Sequence, residues 1–275
     1  MTKAKFQAGS LADRAVLRIS GAEARHFLNN LLTADIERLA SGTAAYAALL
    51  TPQGKILFDM FVVDASDGFL IDCAAVQQAE LAKRLGFYRL RAKVEIAQVD
   101  DLHVLVSSDA PAGDLRYADP RVADIGWRAF APLPPAAAQG YDAARLRLGL
   151  ADSADIGSGA TFPHEANLDQ LDAVSFTKGC YVGQEVVSRM EHRGLARSRM
   201  LPVTLAGAAP EKGAEIRSSG TLVGTLLSAS GNRALALLRL DRLADAHEPL
   251  QTAGATLTVH KPTWARYDVP GAMTP

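Results

Sequence analysis

From Ser198 to the end of the chain, helical periodicity stops. What remains is a series of short apolar runs, Leu201–Leu205, Thr221–Leu227, Ala234–Leu238 and Thr256–Val259. Glycines punctuate them at Gly207, Gly213, Gly220, Gly224 and Gly231. Strands this short, with a turn signal between neighbours, bury a core by curling on one another, so the stretch predicts a small all-β unit of barrel type. Leu240–Ala246 reads as a turn or two of helix inside it, and the tail after Trp264 reads as extended.

The chain before Ser198 is patterned differently. Arg14–Ile19 alternates and predicts a strand. Ser20 with Glu23 three residues later predicts a capping box, followed by a helix that buries Ala24, Phe27, Leu28, Leu31 and Leu32. His26 lies beside that stripe and reads as solvent-facing or structural. Tyr46–Leu50, Lys55–Val63 and Gly68–Asp72 predict three more strands, joined by the Thr51-Pro52-Gln53-Gly54 and Asp67-Gly68 turns. A helix over Val76–Arg89 and strands at Lys93–Ile96 and Leu102–Val106 follow. Strand-helix-strand-strand, approximately repeated, predicts an α+β layer. Ser107–Gly140 shifts to Pro, Ala, Gly and Asp and reads as a connector with room for a strand or two; its Asp119-Pro120-Arg121 and Gly126-Trp127-Arg128 read as a turn and a packed Trp. Tyr141–Leu150 predicts a short helix, and Asp152–Thr161 a loop.

Charge excludes some partners. The 29 basic and 30 acidic residues leave a formal charge of −1, which argues against a nucleic-acid footprint or a membrane surface. Two cysteines, Cys73 and Cys180, do not make a disulfide scaffold and point to a reducing compartment. No apolar run has the length of a membrane span. Met1–Phe6 lacks an apolar signal core and runs into a strand too soon for a transit peptide, so the expectation is a cytoplasmic protein. Cys73 reads as a small buried hydrophobe.

The densest polar stretch is Lys178-Gly179-Cys180-Tyr181-Val182-Gly183-Gln184-Glu185. It sets a cation, a thiol, a phenol, an amide and a carboxylate between glycines, which permit positive φ or close backbone approach. A polar loop between ordered segments is where function concentrates. Beside Lys178, Cys180 is a candidate nucleophile, redox centre or metal ligand. One cysteine cannot hold an iron–sulfur cluster, which takes about four protein ligands.

This K-G-C-Y-x-G-Q-E stretch, with Asp119-Pro120-Arg121, Gly126-Trp127-Arg128 and Arg145-Leu146-Arg147-Leu148-Gly149, resembles the YgfZ-type folate-binding proteins, relatives of the glycine-cleavage T-protein. The resemblance implies an α+β module of tandem ferredoxin-like halves over residues 1–195, followed by a small β-barrel over 196–275. It implies tetrahydrofolate, or a one-carbon derivative, in the first module, and folate-dependent support of iron–sulfur protein assembly or repair. The partners it implies are iron–sulfur assembly factors or client iron–sulfur enzymes. Carried over residue by residue, it puts Glu165 on the pterin, where a carboxylate accepts the 2-amino group and the ring N–H together. It adds Lys178, Tyr181, Gly183, Gln184 and Arg193 at the folate, with Cys180 and Lys178 as the reactive pair. Phe162 and Phe176 are further candidates for walls, Arg197 and Arg199 for the anionic tail. No residue is assigned to a metal.

A competing reading is a true aminomethyltransferase. T-proteins carry an adjacent acidic pair in a G-G-I-x-D-D-like segment. Here Gly54-Lys55-Ile56-Leu57-Phe58-Asp59 puts Lys55 on the second glycine and Phe58 on one acid, which removes part of the acid–base apparatus. A third reading is a scaffold that binds partners without folate. No phosphate-cradling G-x-G-x-x-G follows a strand, which leaves no dinucleotide signature.

Overall fold

A computed structural model describes residues 5–113, 115–194 and 196–273. The leader reading of Met1–Phe6 thus falls largely outside the described residues, as does the boundary position Leu195.

The chain begins with β1 (Gly9–Ser10), β2 (Arg14–Ser20) and α1 (Ala24–Leu31). A meander follows: β3 (Ala44–Leu50), β4 (Ile56–Ala65) and β5 (Gly68–Ala74). Then come α2 (Gln78–Arg89), β6 (Glu95–Val99), β7 (His103–Ser107), β8 (Arg116–Ala118) and β9 (Trp127–Ala131). β3-β4-β5-β2-β6 form one antiparallel sheet and β1-β7-β9-β8 a second.

Alternation along β2 decides what each face meets, because successive side chains point to opposite sides. Val16 enters the apolar cluster shared with Val104, Tyr117 and Phe130 of the second sheet. Leu17 and Ile19 enter the cluster with Phe27, Leu28, Leu81 and Leu85 of α1 and α2. The first sheet is therefore buried on both faces, which is why β4 is nearly continuous in large apolar residues.

Three helices lead to the last unit: α3 (Tyr141–Arg147), α4 (Ser153–Ile156) and α5 (Gln184–Arg193). β10 (Ser198–Ala206), β11 (Glu215–Ser218), β12 (Thr221–Ser230), β13 (Arg233–Arg239), α6 (Leu240–Ala244), β14 (Leu250–Thr252) and β15 (Ala255–Val259) complete the chain. The strands close as β10-β13-β12-β11-β14-β15, so the glycine-punctuated pattern does end in a closed barrel.

Several local expectations change. Ser20 and Glu23 form no capping box: Glu23 is the N-cap of α1 without a side-chain bond there, and its carboxylate accepts the Lys93 N–H at 2.5 Å instead. The stretch expected as loop after Asp152 holds α4, because Asp152 and Asp155 make the reciprocal capping box. The connector holds β8 and β9, the strand or two its composition left room for. The tail is tied down: Trp264 donates from Nε1 to the Leu148 carbonyl at 2.8 Å, and Met273 pairs with Val259 and Lys261.

Between the two sheets lies an ionic core. Asp72 is fully buried and accepts from Arg14 Nε at 2.6 Å, Arg128 Nη2 at 2.6 Å and Tyr117 Oη at 3.2 Å. Asp119 pairs with Arg121 through both carboxylate oxygens, at 3.0 and 2.8 Å. The Arg14, Arg121 and Arg128 guanidiniums all stack on the Phe61 ring, at 5.8, 4.8 and 4.2 Å from its centroid. The D-P-R and G-W-R segments thus supply buried charge partners, beyond a turn and a packed Trp.

Candidate functional site: the loop that presents Cys180

Lys178 anchors the loop. Its ammonium donates to three backbone carbonyls, Asn29 at 2.6 Å, Leu32 at 2.5 Å and Ala34 at 2.7 Å. Asn29 and Leu32 stand at the end of α1, where carbonyls lack helical partners and a cation is favoured. The Lys178 ammonium also lies 5.0 Å from the Tyr181 ring centroid. Burial pulls it down to about 8, against the nearby carboxylates of Asp35 and Glu37. All three of its protons are thus engaged by the protein itself.

Gly183 fixes the other end. It takes φ +81° as the N-cap of α5, and a Cβ there would stand 2.6 Å from the Thr51 carbonyl oxygen and 3.1 Å from the Gly54 Cα. Gly54, at φ +79°, faces Val186 in turn. The β3–β4 turn and the start of α5 therefore meet backbone to backbone, an approach open only to glycine. Between the two anchors Cys180 is free and exposed, while Cys73 is a buried thiol within β5 that burial pushes up to about 12. Tyr181 is buried, and burial pushes its phenol up to about 12. Its Oη has no hydrogen-bond partner among the described residues.

Glu165 sits in the turns between α4 and α5, half-buried. One carboxylate oxygen accepts the Phe162 N–H at 2.9 Å, a local bond that holds the group in place. An ionised carboxylate has about four acceptor positions, so most remain for a ligand. The Lys55 ammonium stands over the Phe162 ring at 5.4 Å. The neighbouring His164 is buried. Its Nε2 lies 3.1 Å from Glu191 of α5, and its Nδ1 has no partner among the described residues. Its ring packs 6.3 Å from that of Phe176, centroid to centroid. The Glu165 turn and the Cys180 loop are thereby tied to the same helix.

The predicted residues separate into groups. Lys178, Tyr181 and Gly183 build the loop, and Cys180 is what it displays. Gln184 and Arg193 begin and end α5, about 14 Å apart at the helical rise, so they do not converge on one small group. Arg193 and Arg197 are exposed. Arg199 is buried in a pair with Asp169, at 2.6 and 3.0 Å, which commits its guanidinium. His164, Asp169 and Glu191 place ligand atoms within 4.8 Å of one another. Arg199 engages Asp169 and His164 Nε2 meets Glu191, so the group reads as a hydrogen-bonded cluster. The missed feature is the carbonyl nest around Lys178; backbone acceptors so distant in sequence leave no pattern to find.

Asp59, the remaining acid of the expected pair, is 3% exposed. It accepts from Tyr46 Oη at 2.9 Å, and burial holds its carboxyl above the usual range. Phe58 faces the opposite, apolar core.

Comparison with known proteins places the fold. Residues 11–107 match the GCVT N-terminal domain, and residues 197–267 match the CAF17 C-terminal beta-barrel domain. The iron-sulfur cluster assembly factor IBA57, mitochondrial, of Homo sapiens is 32% identical over 298 residues, covering 92% of this chain and 84% of that protein. The Mus musculus protein of the same name is 31% identical, over 85% of this chain and 77% of its own. The homolog of Pyricularia oryzae is 32% identical, over 90% and 75%. Among solved structures, the glycine cleavage system aminomethyltransferase T of Bartonella henselae has the same fold: its TM-score is 0.75 at 17% identity, covering 95% of this chain and 87% of that one. These relatives correct the expected cytoplasmic location, since all three are named as mitochondrial proteins. Sparse cysteine marks a reducing compartment without telling one such compartment from another.

Proposed function

The chain belongs to the family of the iron–sulfur cluster assembly factor IBA57, within the aminomethyltransferase-like superfamily, and from that premise we propose that it is a tetrahydrofolate-binding accessory protein in the assembly or repair of iron–sulfur proteins. The observation that carries this is Cys180: the accessible thiol of the two stands on a loop clamped at both ends. A clamped, exposed thiol offers one ligand or one nucleophile, and a cluster needs about four ligands. The chain therefore acts on clusters together with an assembly factor or a client enzyme.

The residues around Glu165 fit a reduced folate. Its carboxylate has acceptor positions to spare for the pterin 2-amino group and ring N–H. The buried Tyr181 Oη and His164 Nδ1 lack partners among the described residues, as polar atoms in a ligand site do. Phe162 supplies an apolar wall, and the exposed Arg193 and Arg197 offer cations to the glutamate tail. When bound, the folate supplies one-carbon chemistry; the chain's own residues hold and orient it. Aminomethyl transfer is the weaker reading. Asp59 has its bonds inside the protein and a carboxyl that burial disfavours ionising, so it is poorly placed as a general base.

Anaerobic titration calorimetry with tetrahydrofolate tests the binding half. Micromolar or tighter affinity that falls about tenfold or more in Glu165→Gln is the expected result; unchanged affinity removes Glu165 from the site. Cys180→Ser tests the other half. It should bind folate normally and fail to sustain iron–sulfur enzyme activities in cells, and full rescue would remove the thiol from the function.

A further inference from the structure

Residues 83–93 carry Lys83, Arg84, Arg89, Arg91 and Lys93 and no acid, in a chain of formal charge −1. Lys83 and Arg84 lie 3.9 Å from Glu80. No ion pair among the described residues reaches Arg89, Arg91 or Lys93. Among them in sequence stand two large apolar side chains that the core leaves out: Phe87 is 61% exposed and Leu90 is 87% exposed. Leu90 is the C-cap of α2 at φ +44°, an uncommon conformation for such a residue. Beside it a groove of about 450 Å³ runs between the end of α2 and α1. Phe27 and Leu31, both nearly buried, form its base and Tyr88 and Leu90 line it; Arg89 and Arg91 line it too, against one acid, Glu23, whose carboxylate is engaged by the Lys93 N–H.

We infer that this groove is a docking site for an acidic segment of a partner protein that inserts one apolar side chain. Charge complementarity selects the partner's sign, since Arg89 and Arg91 outnumber Glu23 at the groove, and an excess of arginine attracts carboxylates and rejects basic surfaces. Concavity selects a protein: an apolar base between two helices takes an anchoring side chain, whereas a lipid surface meets a convex face. The place is consistent with a working interface. Helix α1 supplies the base of the groove through Phe27 and Leu31, and through its Asn29 carbonyl it holds Lys178. A partner seated there touches the same helix that holds the loop displaying Cys180. The inference does not depend on folate binding.

The test is a photo-cross-linking amino acid in place of the exposed, groove-lining Leu90 of the full-length chain, expressed in cells, with the captured segment identified by mass spectrometry. The expected product is a heterologous protein joined through a net-acidic segment. Purified, that protein should bind the Arg89→Glu/Arg91→Glu variant about tenfold or more weakly. Replacing its segment's acids with lysine should restore binding to that variant. A product that joins two copies of this chain, a segment that is not acidic, or binding indifferent to the charge reversal overturns the inference. So does the absence of any cross-linked protein, or sedimentation with phosphatidylserine–phosphatidylcholine vesicles that the reversal abolishes. Circular dichroism of the variant, whose changed residues are both exposed, checks that the fold is kept.

Discussion

Lys178→Met should loosen the Cys180 loop while leaving the rest of the chain folded. Three bonds are lost, to the Asn29, Leu32 and Ala34 carbonyls at 2.6, 2.5 and 2.7 Å. Bonds from a charged donor contribute roughly 1.5–3 kcal/mol each before opposing terms. Two terms oppose. Burial already disfavours the ammonium, which it pulls down to about 8, and the methionine side chain keeps the apolar packing of the lysine stem. We therefore expect a net loss of about 2–3 kcal/mol, felt as local opening. At about 1.4 kcal/mol per factor of ten, amide exchange across residues 175–183 should quicken roughly 30- to 150-fold. Hydrogen–deuterium exchange read by mass spectrometry measures this, with the segment around Ala34 as the second reporter. Lys178→Arg is the discriminating control. Its charge is kept, but a flat guanidinium fork cannot aim at three converging carbonyls, so it should restore protection only in part. If the Met variant's loop exchanges within about threefold of the parent, the carbonyl clamp is not what orders the loop.

Three further outcomes follow from the packing. Asp72→Asn leaves the buried Arg14 and Arg128 guanidiniums short of their counter-ion and should cost about 3–5 kcal/mol in urea denaturation; a loss under about 1 kcal/mol would show that the ionic core is not a stabilising unit. Gly183→Ala forces a Cβ to 2.6 Å from the Thr51 carbonyl at positive φ and should cost at least about 2 kcal/mol, read as a lowered melting temperature. Burial alone would raise Asp119 and Asp152, but Arg121 beside the first, and Arg14 and Arg145 beside the second, hold both below the usual carboxylate range. Their stabilisation is present above about pH 4 and is lost as pH falls through their folded values, so stability should drop steeply in acid. Asp59, raised by burial, contributes with the opposite sign. Urea titrations from neutral to acid pH check the sum, and a flat profile below about pH 4 would contradict it.

The barrel and the α1 stripe were legible because each rests on local repetition. Ala24, Phe27, Leu28 and Leu31 recur at helical spacing, and the barrel strands alternate between turns. The ionic core was not legible. Arg14, Asp72 and Arg128 are far apart in sequence, and a charged residue ordinarily signals a solvated position. Only the pairing of two sheets makes these residues neighbours. The candidate site divides in the same way. Cys180 and its glycines stood out by composition, whereas the place of Lys178 depended on carbonyls more than a hundred residues upstream. Beside a thiol a lysine reads as a reactive or ligand-facing cation; in three dimensions it is a fastening.

The barrel's attachment carries one more implication. Met200, at the start of β10, donates its N–H to the Glu165 carbonyl at 2.8 Å, and its own carbonyl accepts from Asn167 Nδ2 at 2.7 Å. Tyr267, past the last barrel strand, donates from Oη to Asn167 Oδ1 at 2.8 Å. Asn167 itself is left-handed at φ +61°. The turn that aims Glu165 is thus splinted by strands that follow it in the chain. During synthesis that carboxylate cannot be set until the roughly 70 residues from Ser198 to Tyr267 have emerged and closed their cylinder. A chain truncated after α5 would keep its cysteine loop and lose the aim of its acid, parting two chemistries that the whole protein matures together.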